Sequence, residues 1–464
     1  MRILHALNSF PPHSRAGSEN YVETLALEQR RRHDVSILHR VSEPERPEYQ
    51  GRSSEWRDLP VYSVNRTFRD VTDFRETYAS EPLAAAVHAR FEHWRPDVVH
   101  FHHVSCLSTT SIEAARALGA AVVFTLHDYW LSCPRGQRVR RDSTLCREPS
   151  EAECVNCMAA QLRIRGGFAR TRELWHRSER FRWARFARQL VRRWATRPFS
   201  DEDDALRQIR ERTAHVHEVA RSVDAFISPS RWLRDEFVAQ GFDAEQIRVL
   251  PNGFDTRSWP ARALPRTRTD NAPLRVVYLG TWIPTKGVHL LVEAAQAFDA
   301  SELSLDIHGM AVPYEGADDY EAQLRSAAHG HPHIRFHERY EPDAVPQLLD
   351  DADIVVVPST WYENSPLTVH EAFLAGVPVV ASDHGGLREL VHDGHNGLTF
   401  RPGDPAALRS VLRRLVDRPE ELEQLRRNIP TVTDIADHAV QLESLYGELR
   451  DRRREPTQPS TPEA

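Results

Sequence analysis

The chain has 464 residues, 27% charged and 40% hydrophobic, with a formal net charge of −7. That length holds two domains of ordinary size plus insertions, and no run of about 18 apolar residues is available to span a bilayer. Met1 leads at once into a strand-like segment with no signal peptide, so a cytoplasmic protein is expected.

Residues 2–7 read as a strand, followed by a loop holding Gly17, a helix over 18–31 and a strand over 34–39. Short apolar runs at 97–101, 120–126 and 225–228 continue the alternation. Runs of this kind separated by helical stretches predict a mainly parallel sheet. His127 ends the second of these runs, in Thr125-Leu-His-Asp-Tyr-Trp130, and His100, His102 and His103 cluster after another strand. The latter three lack an acidic partner at ligand spacing and are expected to be structural or to face an acceptor.

Four cysteines then crowd together: Cys133, Cys146, Cys154 and Cys157. In a reducing cytoplasm stable disulfides are not expected. Their Cys-X-X-Cys ending, in a segment with little core of its own, suits a tetrahedral structural zinc. Four unrelated thiols and an iron–sulfur cluster are the alternatives. Cys106 stands apart and reads as a buried thiol. Between Ala160 and Pro198 there are 12 Arg against Glu173 and Glu179. Trp183, Phe186, Leu190 and Trp194 recur there at helical spacing, so residues 168–197 predict a basic, aromatic-faced helix able to dock on an anionic membrane surface. An ordinary solvated helix is the alternative, and no motif supports nucleic-acid binding.

A linker over 257–273 separates this half from a second alternation, with strands at 275–279, 303–308, 334–336, 354–357 and 377–381. The tail over 451–464 is Pro-rich and polar and is expected to be disordered. The fold class expected is α/β, with two Rossmann-like, doubly wound domains facing a central cleft. The first covers 1–256 with an insertion at about 131–215, and the second covers 274–433.

The most informative stretch runs from Pro358 to Gly386. Ser365 is placed to cap a helix and Pro366 to open its first turn. The free amides there, with the helix dipole, favour a phosphate. Glu363 and Glu371 bracket that turn, and Gly385-Gly386 ends the next strand, where absent side chains would let a ligand approach the backbone. Of the 60 basic residues 59 are Arg, and the single lysine is Lys286, in Leu279-Gly-Thr-Trp-Ile-Pro-Thr-Lys-Gly287. Lysine binds phosphate as a compact point charge. An anion cradle flanked by two acids and a glycine pair suits a sugar nucleotide.

These motifs resemble those of the family 4 glycosyltransferases, retaining enzymes of the two-domain GT-B fold, over most of the chain. Glu363 and Glu371 match the family's acid–seven residues–acid signature. Gly280 and Lys286-Gly287 match its glycine-arginine…lysine-glycine loop, and Gly17 its N-terminal glycine-rich turn. Where the family usually carries an arginine five residues before the lysine, this chain has Thr281. The resemblance implies a UDP- or GDP-type sugar donor and a glycan or lipid-linked acceptor, in cell-envelope polysaccharide or glycoconjugate synthesis. Catalytic candidates are Glu363, Lys286 and His127. Donor-binding candidates are Gly17, Thr281, Ser365, Leu367 and Thr368, with Glu371 on the ribose hydroxyls and Gly385 and Gly386 near the ligand. The fold usually works without a divalent ion, so no catalytic cofactor is expected. The last helix, over 434–450, would cross back onto the first domain. Thr281 keeps open a catalytically weak nucleotide-sugar-binding protein, and a nucleotide-sugar epimerase is the other alternative. Glycoside hydrolysis would leave the phosphate features without purpose.

Overall fold

The computed structural model describes residues 1–163, 202–259, 272–314, 317 and 319–454. Period-2 patterning dominates both halves. In the strand Arg2–Leu7, Ile3 and Leu7 enter one apolar cluster while Leu4 and Ala6 enter another on the opposite face. Leu274–Leu279 behaves alike, with Val276 and Tyr278 on one face and Val277 and Leu279 on the other. Strands buried on both faces need helices above and below, which is what parallel crossovers supply.

The first sheet contains β1 (Arg2–Leu7), β2 (Asp34–Val41), β3 (Gly51–Trp56), β4 (Leu59–Asn65), β5 (Val98–Phe101), β6 (Ala121–Thr125), β7 (Ala225–Ser228) and β8 (Ile247–Val249). Their order is β3-β4-β2-β1-β5-β6-β7-β8, parallel except where β3 pairs with β4. The second sheet contains β9 (Leu274–Leu279), β10 (Leu303–His308), β11 (Ile334–His337), β12 (Ile354–Val357), β13 (Val379–Ser382) and β14 (Gly397–Phe400). Its order is β11-β10-β9-β12-β13-β14, all parallel. The chain therefore has two parallel α/β sheets of the GT-B type. Strand order reverses beside β1 in one and beside β9 in the other, and crevices at such reversals are where ligands bind.

The final helix, Ile435–Arg454, packs on the first sheet rather than the second. Ile435, Leu442 and Tyr446 are fully buried in the cluster of β1, and each such side chain contributes about 1.5–3 kcal/mol. The helix continues through Asp451–Arg454, so the tail predicted from 451 is helical at its start. Arg453 pairs with Asp224 at 2.6 Å and Arg454 with Asp97 at 2.8 Å, which holds that last turn.

Other boundaries shift. The first helix is Gly17–Gln29, ending two residues before the expected 31. The helix Glu202–Ala220 straddles the expected end of the insertion at 215, because Val216 and Val219 belong to the main core while Ala205 and Ile209 pack with the cysteine segment. The basic segment 168–197 and most of the linker 257–273 lie outside the described residues. Cys106 is half-buried and not a core thiol.

Candidate active site

The carboxyl ends of both sheets face a shared cleft of about 760 Å³. The loop after β1 brings Arg15 and Gly17, and the strand end after β6 brings His127. The turn after β9 brings Gly280, Thr281 and Lys286, the loop after β12 brings Glu363 and Ser365, and the helix that follows brings Leu367, Thr368 and Glu371. One cleft thus gathers residues from four crossovers of two sheets.

Two glycines set the geometry of the lysine and glutamate loops. Gly287 has φ of +71°, and a Cβ there would meet the Pro358 carbonyl oxygen at 1.9 Å. Only glycine permits both the left-handed backbone and that contact, which holds Lys286 against the 358–363 loop. Lys286 Nζ donates to Glu363 Oε1 at 2.6 Å. The same oxygen accepts from Ser359 Oγ at 2.7 Å and from Trp361 Nε1 at 2.8 Å. Three donors on one oxygen fix the carboxylate, and Oε2 takes no bond from the described residues. Lys286 also stands 5.2 Å from the centre of the Trp361 ring, a cation–π distance.

Gly385 and Gly386 do not line the cleft, which corrects the expectation that a ligand approaches them. A Cβ on Gly386 would meet the Asn364 carbonyl oxygen at 1.7 Å, and one on Gly385 the Glu363 carbonyl oxygen at 2.9 Å. Their missing side chains admit the protein's own loop, and Gly386 N–H donates to the Glu363 carbonyl at 2.7 Å. The pair shapes the glutamate loop from behind.

Ser365 is not the helix cap. The helix is Leu367–Leu374 with Pro366 flanking it, and the Ser365 hydroxyl pairs with His370 Nε2 at 2.9 Å. That buried imidazole stacks on Phe254 at 4.6 Å, and its nitrogen takes the hydroxyl that capping would have used. Glu371 receives no bond from the described residues, and burial pushes its carboxyl up to about 7. A carboxylate waiting without donors suits a ligand diol. Asn364 Nδ2 donates to the His127 carbonyl at 2.7 Å, tying the glutamate loop directly to the first domain.

His100 and His102 are fully buried with His5, and the three lie close enough to hold a metal. Their ring nitrogens are instead engaged with Tyr446, Thr125, Gln29, His127 and one another. His103 reaches the cleft wall. Sequence reading did not single out Arg15, Arg339 or Tyr340, which also line the cleft. Arg15 had a signal, standing two residues before Gly17 in the same loop.

Cys133, Cys146, Cys154 and Cys157 line one small cavity of about 20 Å³. Burial, and then the neighbouring thiols, push Cys154 up to about 12. Among the described residues no three of these sulfurs lie within 4.8 Å of one another. A tetrahedral zinc with bonds of about 2.3 Å draws its sulfurs to about 3.8 Å. The donor set is therefore right in chemistry and wider than a closed site.

The family model for "Glycosyltransferase Family 4" matches residues 15–258, more than half of the chain. The chain belongs to glycosyltransferase family 4. The model for "Glycosyl transferases group 1" matches residues 264–432, so the two together cover every strand of this family 4 chain except β1. Among curated relatives, glycogen synthase of Mycobacterium tuberculosis is 30% identical over 214 residues, 45% of this chain and 49% of that protein. The amylovoran biosynthesis glycosyltransferase AmsK of Erwinia amylovora is 29% identical over 196 residues, 40% of this chain and 46% of that one. The chain thus spans about half the length of the curated relatives it matches. The crystal structure of Anabaena HepE in complex with UDP-glucose aligns with a TM-score of 0.64 at 18% identity, covering 97% of this chain and 100% of that one. At that identity the likeness speaks for the fold.

Proposed function

We propose that the chain is a retaining glycosyltransferase that moves a hexosyl group from a nucleotide diphosphate sugar, of UDP or GDP type, to a glycan or lipid-linked acceptor in polysaccharide or glycoconjugate synthesis. The observation that carries this reading is the Lys286–Glu363 pair, with Glu371 beyond it, on one wall of a cleft whose other wall bears Gly17 and His127. HepE, of the same fold, was crystallised with UDP-glucose, and AmsK is named for amylovoran biosynthesis.

Transfer breaks the bond from the anomeric carbon to a phosphate oxygen, and the electron pair leaves with the diphosphate. Fixed positive groups aimed at that oxygen lower the barrier. Lys286 is the first such group and the amides near Ser365–Thr368 the second. Arg15 supplies the further cation that Thr281 does not. The free Glu363 Oε2 accepts a sugar hydroxyl, and Glu371 accepts the ribose hydroxyls. For configuration to be kept, the acceptor oxygen joins on the face the diphosphate leaves, and its proton passes to the departing phosphate.

The four cysteines are proposed to hold a structural zinc that shapes the loop beside the acceptor, with no open position for chemistry. Segment 168–197 is proposed to bring the protein to anionic lipid at the inner face of the cell membrane. No helix among the described residues is long and apolar enough to cross a membrane. A thermal-shift panel of UDP-glucose, UDP-galactose, UDP-N-acetylglucosamine and GDP-mannose, followed by donor-only incubation, tests the main reading. Stabilisation with slow release of free sugar is expected. An altered sugar still attached to the nucleotide would mark an epimerase, and stabilisation without turnover a binding protein.

A further inference from the structure

A hydrogen-bonded string of side chains runs through the first domain and ends in the cleft. Gln29 Oε1, at the end of the first helix, is 2.9 Å from His5 Nε2 on β1. His5 Nδ1 is 3.0 Å from His102 Nε2, just after β5, and His102 Nδ1 is 3.0 Å from His127 Nε2, just after β6. Gln29, His5 and His102 have no exposure to solvent. His127 is half-buried and lines the cleft. Tyr21 and His103 flank its ring at 5.3 and 5.6 Å, and His103 Nδ1 lies 3.6 Å from the Asp128 carboxylate.

Such a string has a direction. A neutral imidazole carries one N–H and one lone pair, and a carboxamide oxygen only accepts. In this structure the Gln29 carboxamide turns its oxygen toward His5; in that orientation the hydrogen between them sits on His5 Nε2, which leaves His5 Nδ1 as an acceptor. His102 must then donate from Nε2 and accept at Nδ1, so His127 donates from Nε2. What remains is His127 Nδ1, a bare lone pair with no partner among the described residues. Burial keeps the string neutral: it lowers His5 to about 4 and holds His102 and His127 well below the ordinary histidine value. An imidazole's free nitrogen is set by the bond its other nitrogen makes, and here three residues make that choice.

We propose that Gln29, His5 and His102 are positioning residues that lock the hydrogen of His127 on Nε2, so that its Nδ1 accepts a hydrogen bond from a donor-sugar hydroxyl. The hydroxyl rests on the transferase reading above; the locked tautomer does not. A lone pair at this point suits a sugar that gains positive charge as the diphosphate leaves, whereas an N–H there would face that charge with the wrong sign.

The test combines a spectrum with turnover. In protein labelled with ¹⁵N-histidine, with the His127 resonances assigned by their loss in His127→Gln, Nδ1 should appear unprotonated and Nε2 protonated. In His102→Leu, which leaves Nε2 of His127 unpaired, the two tautomers should mix. Release of sugar from the panel donor that the wild type hydrolyses fastest should fall about tenfold, with near-normal UDP affinity. His102→Gln can donate from its amide nitrogen to His5 and accept through its oxygen from His127, so it should restore both the tautomer and most of the turnover. A hydrogen found on His127 Nδ1 in the wild type, or a leucine variant equal to the wild type in spectrum and turnover, would overturn the proposal. Absence of donor hydrolysis in the wild type itself would instead remove the transferase reading, and the spectrum alone would then judge the string.

Discussion

Lys286 Nζ and Glu363 Oε1 stand 2.6 Å apart although 77 positions separate them in the chain. The contact pairs the cation proposed for the diphosphate with the carboxylate proposed for the sugar. On the proposed reading each would hold the other beside the breaking bond, so neither would have to be ordered at the moment of reaction. Lys286→Ala removes one of three donors to that oxygen and leaves Ser359 and Trp361 in place, so the fold should persist. Turnover should fall by roughly a hundredfold, the loss expected for one strong transition-state donor, with UDP affinity reduced far less. Steady-state donor hydrolysis beside calorimetric UDP binding checks this, and near-normal turnover would refute the role of the lysine. Thr281→Arg, which restores the family's usual residue in the cleft, should tighten UDP binding.

Glu371 carries a pH dependence whose sign follows from its burial. Its carboxyl is pushed from the ordinary 4.5 up to about 7. Between those values the folded chain holds a proton that the unfolded chain has released, so stability falls as pH rises through that window. Glu371→Gln should therefore raise Tm at pH 8 and leave it nearly unchanged at pH 4.5. Binding runs the other way, because only the ionised carboxylate accepts two ribose hydroxyls. Bonds to a charged group contribute about 1.5–3 kcal/mol, so Glu371→Gln should weaken UDP at least tenfold at pH 8. That ratio should shrink by pH 6, and taking the ratio cancels the titration of UDP itself. A ratio that stays flat with pH would show that Glu371 does not meet the nucleotide as a carboxylate.

Much of this site was legible in the sequence because its chemistry is local. Lys286-Gly287 and the Glu363 loop each follow a short apolar run, and parallel topology brings strand ends together. What stayed hidden depends on partners distant along the chain. Gly385 and Gly386 look like ligand glycines until the Glu363–Asn364 backbone is found against them. Ser365 looks like a cap until His370 claims its hydroxyl. His5 looks like one more core residue of β1, and its part in a string with His102 and Gln29 arises only from the order in which the strands and the first helix assemble. The hairpin β3–β4 was missed because β3 (Gly51–Trp56) is mostly exposed and lacks apolar alternation.

Segment 168–197 carries most of a local excess of ten positive charges between Ala160 and Pro198. At roughly 1 kcal/mol for each basic residue near an anionic surface, engagement of only a few gives reversible docking. The full chain should sediment with phosphatidylglycerol vesicles and only weakly with phosphatidylcholine ones. Salt should reduce binding without abolishing it, since Trp183, Phe186 and Trp194 add apolar contact, and replacing those three by Ser should remove the residue. Equal partitioning to both vesicles, or none to either, would point to an acceptor that is not presented at a membrane.

The cysteine segment offers a direct test by metal removal. Cys133, Cys146, Cys154 and Cys157 reach one cavity from a loop and from the helix Glu151–Cys157, whose Val155 packs with Phe74 and Tyr78 of the first domain. A zinc there would bind four thiolates, and since the ligands must shed protons, binding should release protons and weaken in acid. Protein purified without added metal should contain about one zinc per chain by elemental analysis. A strong chelator should lower Tm, and Cys154→Ser should lower both metal content and Tm while donor hydrolysis per folded molecule changes little. Because the sulfurs stand wider than a closed zinc site, zinc binding would require the loop to close around the ion and order with it. Chelated protein should therefore be cut faster by protease within 133–157 than elsewhere. Metal-free protein with unchanged melting and unchanged cleavage would leave four ordinary thiols around a small cavity.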